Sequence, residues 1–145
     1  FELLREAGFS YDSSLMGHDV RPYWCRLNDQ WVKNEGVEGG EEVDLVELPW
    51  AWHLDDFPWF EYIPPQGGNL TAPSAVLETW LGDLDWALAH EPGGVLTYTM
   101  HPQVIGRGNR MLMLEQLLDE VEKRGVGFTT LEDAATNWRA AHPFS

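Results

Sequence analysis

His101 is the residue in this chain best placed by type and context to move a proton. It follows the apolar run 95–100 and precedes Pro102, so it stands where an extended segment ends. In parallel β/α folds, working residues gather at the C-terminal ends of strands. An imidazole there exchanges a proton near neutral pH, and a neighbouring carboxylate fixes its tautomer and raises its pKa. Asp55 and Asp56 are the candidates for that carboxylate, since they follow a second strand-like segment at 44–49. The plain alternative for His101 is a loop residue whose ring bonds a backbone carbonyl. For the two aspartates it is solvation or helix capping.

Other chemistries find less to work with. The remaining histidines are His18, His53, His90 and His142, with no closely spaced pair. A metal site needs three or four ligands; His53 with Asp55 or Asp56 is the one combination to consider, and His90 and His142 read as exposed. No Gly-x-Ser-x-Gly elbow or phosphate-binding glycine motif occurs, and Cys25 has no evident base beside it. Trp50, Trp52 and Trp59 form an aromatic cluster next to the aspartates. Such rings dominate core burial, which is the leading reading here; the alternative is that they wall a pocket for a sugar or another small ring.

The elements that must position these residues read as alternating strands and helices. Residues 1–7 have helical spacing, with Gly8 as a left-handed cap. Residues 9–13 and 44–49 read as strands, and the Gly- and Glu-rich stretch 34–42 as an exposed loop. The aromatic stretch 50–60 is too broken by proline for a long element, and 64–69 reads as a loop. Ser74 is the expected N-cap of a helix whose Leu77, Leu81, Leu84 and Leu88 form its inner stripe. The run 95–100 reads as a buried strand. A helix follows over about 107–124 with Met111, Leu114, Leu118 and Val121 inward, then a short strand at 126–129. Thr130 and Asp133 form a capping box for a last helix to about Trp138.

This order marks an α/β fold of parallel units. The 145 residues suit one domain, about half of what a closed β/α barrel needs. With 24 acidic against 9 basic residues and a net charge of −15, the surface repels nucleic acid and anionic membranes. A single Cys excludes an internal disulfide. No apolar run approaches the length of a membrane span, and no export signal is visible.

Several motifs resemble the NodB-homology polysaccharide deacetylases, in the branch of bacterial peptidoglycan-deacetylase-like and allantoinase-like proteins. They are Gly-Phe-Ser-Tyr-Asp-Ser-Ser at 8–14, Glu-Leu-Pro at 47–49 running into Leu-Asp-Asp at 54–56, and Thr-Met-His-Pro-Gln at 99–103 followed by Gly106 and Arg107. The likeness extends over about residues 1–135. It implies an irregular (β/α) barrel of NodB type, of which 1–145 is the C-terminal half. It further implies hydrolysis of amide bonds, commonly N-acetyl groups on sugars, with a divalent metal that is often zinc.

By the same resemblance His101 protonates the departing amine and Asp55 or Asp56 lines the pocket; Trp50, Trp52 and Trp59 remain the residues' own candidates for contact with the substrate. The family's metal-binding Asp and His motifs and its catalytic Asp have no counterpart in this chain. The expectation is therefore a chain that alone binds no catalytic metal and hydrolyses nothing, with exposed apolar faces and reduced solubility in acid. Its parent would act on a glycan such as peptidoglycan and could form a homo-oligomer. Two alternatives are a hydrolase of a small cyclic amide or ureide, and a non-catalytic carbohydrate-binding remnant.

Overall fold

The computed structural model describes residues 1–65 and 67–145. Its sheet is built around one long strand. Helix α1 (Glu2–Glu6) ends at Gly8, whose φ of +84° is the left-handed cap the sequence calls for. Strand β1 (Tyr11–Asp12) then pairs in parallel with β5 (Glu41–Glu47). Strand β2 (Tyr23–Leu27) lies antiparallel on the other side of β5, giving the order β1-β5-β2. The sheet is thus mixed rather than wholly parallel.

Strands β3 (Gln30–Val32) and β4 (Gly36–Glu38) form a separate antiparallel hairpin. The stretch 34–42 is therefore not a loop. Asn34 and Gly36 take φ of +70° and +97° to close the hairpin turn, and the same stretch contains β4 and the start of β5. Gly and Glu composition concealed a short ladder whose stability comes from pairing, not propensity.

β5 buries both of its faces. Val43 and Leu45 pack with Cys25 of β2, with Phe1 and with Leu4 of α1. Val46 and Leu48 pack against Ala134 and Ala135 of α6 (Leu131–Ala141). The Thr130 hydroxyl accepts from the Asp133 backbone N–H and donates to the Asp133 carboxylate, so Thr130 caps α6 as expected, though without the reciprocal bond of a full capping box, and α6 runs past Trp138 to Ala141.

The largest core lies under two long helices, α3 (Pro73–His90) and α5 (Gly108–Lys123). Both helices fall close to their expected limits, yet each is rotated from the expected inner stripe. On α3 the buried seam is Val76, Trp80, Leu84 and Ala87, while Leu88 is exposed. Trp80 decides the rotation: its large ring is fully buried and supplies more apolar area than any leucine. The N-cap is Ala72 rather than Ser74, because Pro73 occupies the first helical turn, where a missing N–H costs nothing. On α5, Met113, Leu117 and Val121 are buried, whereas Met111 and Leu118 are largely exposed.

Residues 95–100 and 126–129 form no strands; within them Thr99 makes an isolated bridge to Asp55. The first segment is half-buried rather than buried. It is held by single contacts, such as the Val95 N–H to the Val20 carbonyl at 2.8 Å and the Thr99 N–H to the Leu54 carbonyl at 2.9 Å. Its other face borders a cavity of about 660 Å³ lined by Leu84, Leu114, Leu118, Val126 and Phe128. A ladder needs a partner strand, and in this chain that place is cavity. Among the described residues no helix is long and apolar enough to cross a membrane.

Candidate active site

The aspartates and His101 arrive at one place through backbone pairing. After β5, Pro49 ends the ladder, and a 3-10 turn at Trp52–Leu54 delivers Asp55 in extended conformation. Asp55 forms a parallel bridge with Thr99. The Thr99 N–H donates to the Leu54 carbonyl, and the Asp56 N–H donates to the Thr99 carbonyl at 3.0 Å. Helix α2 (Asp56–Phe60) begins there, and α4 (Pro102–Ile105) begins just beyond Thr99. His101 precedes a proline, which restricts it to extended backbone; its φ and ψ are −104° and 123°. Asp56 thus opens one short helix and His101 flanks the start of another.

The two aspartates divide the work. Asp55 caps α2, its Oδ1 accepting the Phe57 N–H at 2.8 Å, and the same oxygen lies 3.7 Å from His101 Nδ1. Asp56 has no exposed surface and gives both oxygens to His101. Its Oδ2 accepts the His101 backbone N–H at 3.0 Å, and its Oδ1 lies 2.7 Å from Nδ1. That contact assigns the proton to Nδ1, since a carboxylate only accepts. The imidazole is 36% exposed and its other side packs against Phe57. The hydrogen bond to Asp56 raises its pKa above the ordinary value; partial burial opposes this, and the charges of Asp56 and Asp55 add to it. A half-exposed imidazole in this setting holds a proton more readily than an unpartnered histidine and can offer it through Nε2.

Asp55, Asp56 and His101 each place a ligand-type atom within 4.8 Å of the others, so the cluster is a possible Asp-Asp-His metal site by composition. Its arrangement is that of a hydrogen-bonded pair rather than a cage. Both Asp56 oxygens and the Nδ1 proton are engaged with each other, and an ion would have to displace that pairing.

The other candidates make contacts of their own. His53 turns to Asp83, with Nε2 3.4 Å from Oδ2, and does not share the aspartates' site; its carbonyl accepts the indole N–H groups of both Trp59 and Trp80. Trp59 packs against the main core. Trp50 and Trp52 meet edge to face at 4.6 Å, and Trp52 is 58% exposed. His90 and His142 are exposed, the latter stacked on Trp138.

Two residues with structural work at this end of the sheet escaped the sequence reading. Glu47 is wholly buried at the end of β5. Its Oε1 accepts the Ser14 and Leu15 N–H groups, each at 2.8 Å. Cys25 does have a carboxyl neighbour, with Sγ 3.7 Å from Glu47 Oε2; burial and that carboxylate push the thiol up to about 12, which removes it as a nucleophile. The signal for Glu47 was available, because it shares the inward parity of Val43 and Leu45 on β5. Arg110 of α5 donates to the Val104 and Phe60 carbonyls, and no local pattern announces it.

No family model matches the chain. It is 33% identical over 155 aligned positions to a peptidoglycan deacetylase of Helicobacter pylori, a match covering 98% of this chain and 53% of the relative. Among solved structures, a Mycobacterium smegmatis protein assigned to the polysaccharide deacetylases superposes with a TM-score of 0.73 at 31% identity, over 97% of this chain and 44% of the other. The allantoinase PuuE shares the fold with a TM-score of 0.74 at 23% identity, over 99% and 43%. The chain spans about half the length of each of these proteins. Motif order, backbone path and these matches agree, and residues 1–145 are similar to polysaccharide deacetylases of the NodB-homology type over part of their length and share their α/β fold.

Proposed function

We propose that this chain supplies the proton donor of an amide hydrolase, and that the whole protein removes N-acetyl groups from a glycan such as peptidoglycan. The observation that carries the reading is the Asp56–His101 pair, closed by contacts of 2.7 and 3.0 Å. An amine leaves poorly unless it is protonated as the carbon–nitrogen bond breaks. Protonated His101 gives its Nε2 proton to that nitrogen, while the Nδ1–H stays on Asp56 and holds the ring's orientation. Asp56 thereby stabilises the charged imidazole without itself taking the proton. Asp55 fixes the start of α2, and its charge favours the same protonated state.

A divalent metal such as zinc, implied by the family, supplies carbonyl polarisation when bound. The paired geometry of Asp56 and His101 favours ligands from polypeptide beyond these residues. The names of the H. pylori and M. smegmatis relatives, a peptidoglycan and a polysaccharide deacetylase, support a glycan substrate. The edge-to-face pair Trp50–Trp52, with Trp52 exposed and Trp50 half-buried, is a suitable surface for a sugar ring. Residues 1–145 alone are expected to be inactive and to form part of a single domain.

The test is acetate release from peptidoglycan and N-acetylglucosamine oligomers by the intact protein, beside hydrolysis of a cyclic ureide. Glycan deacetylation should fall by roughly 10²-fold or more in His101→Ala. Turnover of the ureide alone, or glycan binding with no hydrolysis of any substrate, would overturn the reading.

A further inference from the structure

The Asp56–His101 contact joins the first turns of two very short helices, α2 and α4. Helices of five and four residues have little stability of their own, so something must hold them in register. Their far ends meet on one side chain. Arg110 Nη2 donates to the Phe60 carbonyl at 2.9 Å, at the end of α2. Its Nη1 donates to the Val104 carbonyl at 2.8 Å, in the last turn of α4. Nη1 also reaches Glu61 Oε1 at 3.2 Å, and the guanidinium lies over the Phe60 ring at 4.7 Å.

The side chain is 15% exposed, so these bonds compete little with water. Carbonyls at helix C-termini have no intrahelical partners, and a cation there also meets the negative end of the helix dipole. A guanidinium is suited to the task because its fork serves two acceptors in fixed geometry, which a single ammonium does not.

We propose that Arg110 is a positioning residue: by clamping the C-terminal ends of α2 and α4 it sets the distance between Asp56 and His101 at their opposite ends. The consequence for turnover rests on the reading of His101 as proton donor. The clamp itself does not, and it can be read without any reaction.

The signature is the imidazole tautomer. With Asp56 in place, neutral His101 carries its proton on Nδ1; released from it, the ring reverts to the mixture of an unpartnered histidine. In the intact protein, ¹⁵N chemical shifts of the His101 ring nitrogens, measured above the pH at which the ring titrates, should show the Nδ1–H form. Arg110→Ala should shift them to the values of an unpartnered histidine. Arg124→Ala, which removes a different α5 arginine bound to Asp85 and Glu120, should leave them unchanged. If Arg110→Ala does not fold, Arg110→Lys takes its place with the same expected direction.

If His101 is also the proton donor, the folded variant should lose about tenfold or more in kcat with little change in KM. A folded Arg110 variant that keeps the native tautomer overturns the clamp. A lost tautomer with unchanged kcat upholds the clamp and overturns the catalytic role of His101.

Discussion

Asp56 and Glu47 are both fully buried carboxylates, one opening α2 and the other ending β5, and they live in opposite surroundings. Asp56 faces an imidazole that can carry a positive charge and that reaches the surface. Glu47 faces two backbone amides, a thiol and, on β1, the carboxylate of Asp12. Without a counter-charge, burial pushes Glu47 up to about 7, even though the Ser14 and Leu15 N–H groups pull the other way. The Asp56 contact instead acts on its partner, raising the pKa of His101. Burial of an acid therefore does not by itself make a reactive site. A partner able to accept charge and an outlet toward solvent separate the proton donor from the latch.

Neutralising each acid in turn breaks the comparison most directly. Asp56→Asn preserves shape and removes the charge. In the intact protein it should lower turnover by about 10²–10⁴-fold and bring the His101 pKa back down toward its ordinary value, read from the ring proton shifts. A variant with His101 still raised would show that Asp56 is not its governing partner.

Glu47 should act on stability instead. Glu47→Ala strands two amides and should cost about 1–3 kcal/mol in urea unfolding, whereas the carbonyl of Glu47→Gln can still accept them. The folded group keeps its proton up to about 7, while the unfolded chain releases it in the ordinary carboxylate range. Between those limits the folded state binds more protons, so stability falls as pH rises through the window. Relative to Glu47→Gln, the native protein should gain on the order of 2 kcal/mol between pH 8 and pH 5. Parallel pH profiles for the two proteins would refute this.

These contrasts also mark what the sequence could reveal. His101 was legible because an apolar extended run and a proline frame it. Which aspartate binds it was not legible, because the pair straddles a strand-to-helix junction: Asp55 is extended with ψ of 134°, and Asp56 begins the helix. Only that change in backbone direction sends one side chain to the Phe57 N–H and the other to His101. Periodicity located α3 and α5, and a capping signal α6, yet periodicity favoured leucine-rich stripes over the seams set by Trp80 and Met113. Residues 95–100 and 126–129 have strand chemistry, but their pairing depends on what lies beside them, which local sequence does not encode. The clamp from Arg110 spans 50 residues to Phe60, a separation that no local motif captures.

The smallest expected effect is a null one, and it sharpens the difference between a proton-transfer pair and a metal cage. Zinc taken up by Asp55, Asp56 and His101 would have to break the 2.7 Å contact to Nδ1 and redirect an Asp56 oxygen that already binds the His101 backbone. Tight sites present three or four ligands free to turn toward the ion, each held by its own outer partner; here the candidate ligands are one another's partners. Zinc titrated into residues 1–145 in a calorimeter should therefore give no saturable one-to-one heat and leave the His101 ring resonances unmoved. Tight stoichiometric binding with loss of the Nδ1–H signal would recast the cluster as a metal centre and remove His101 as the donor.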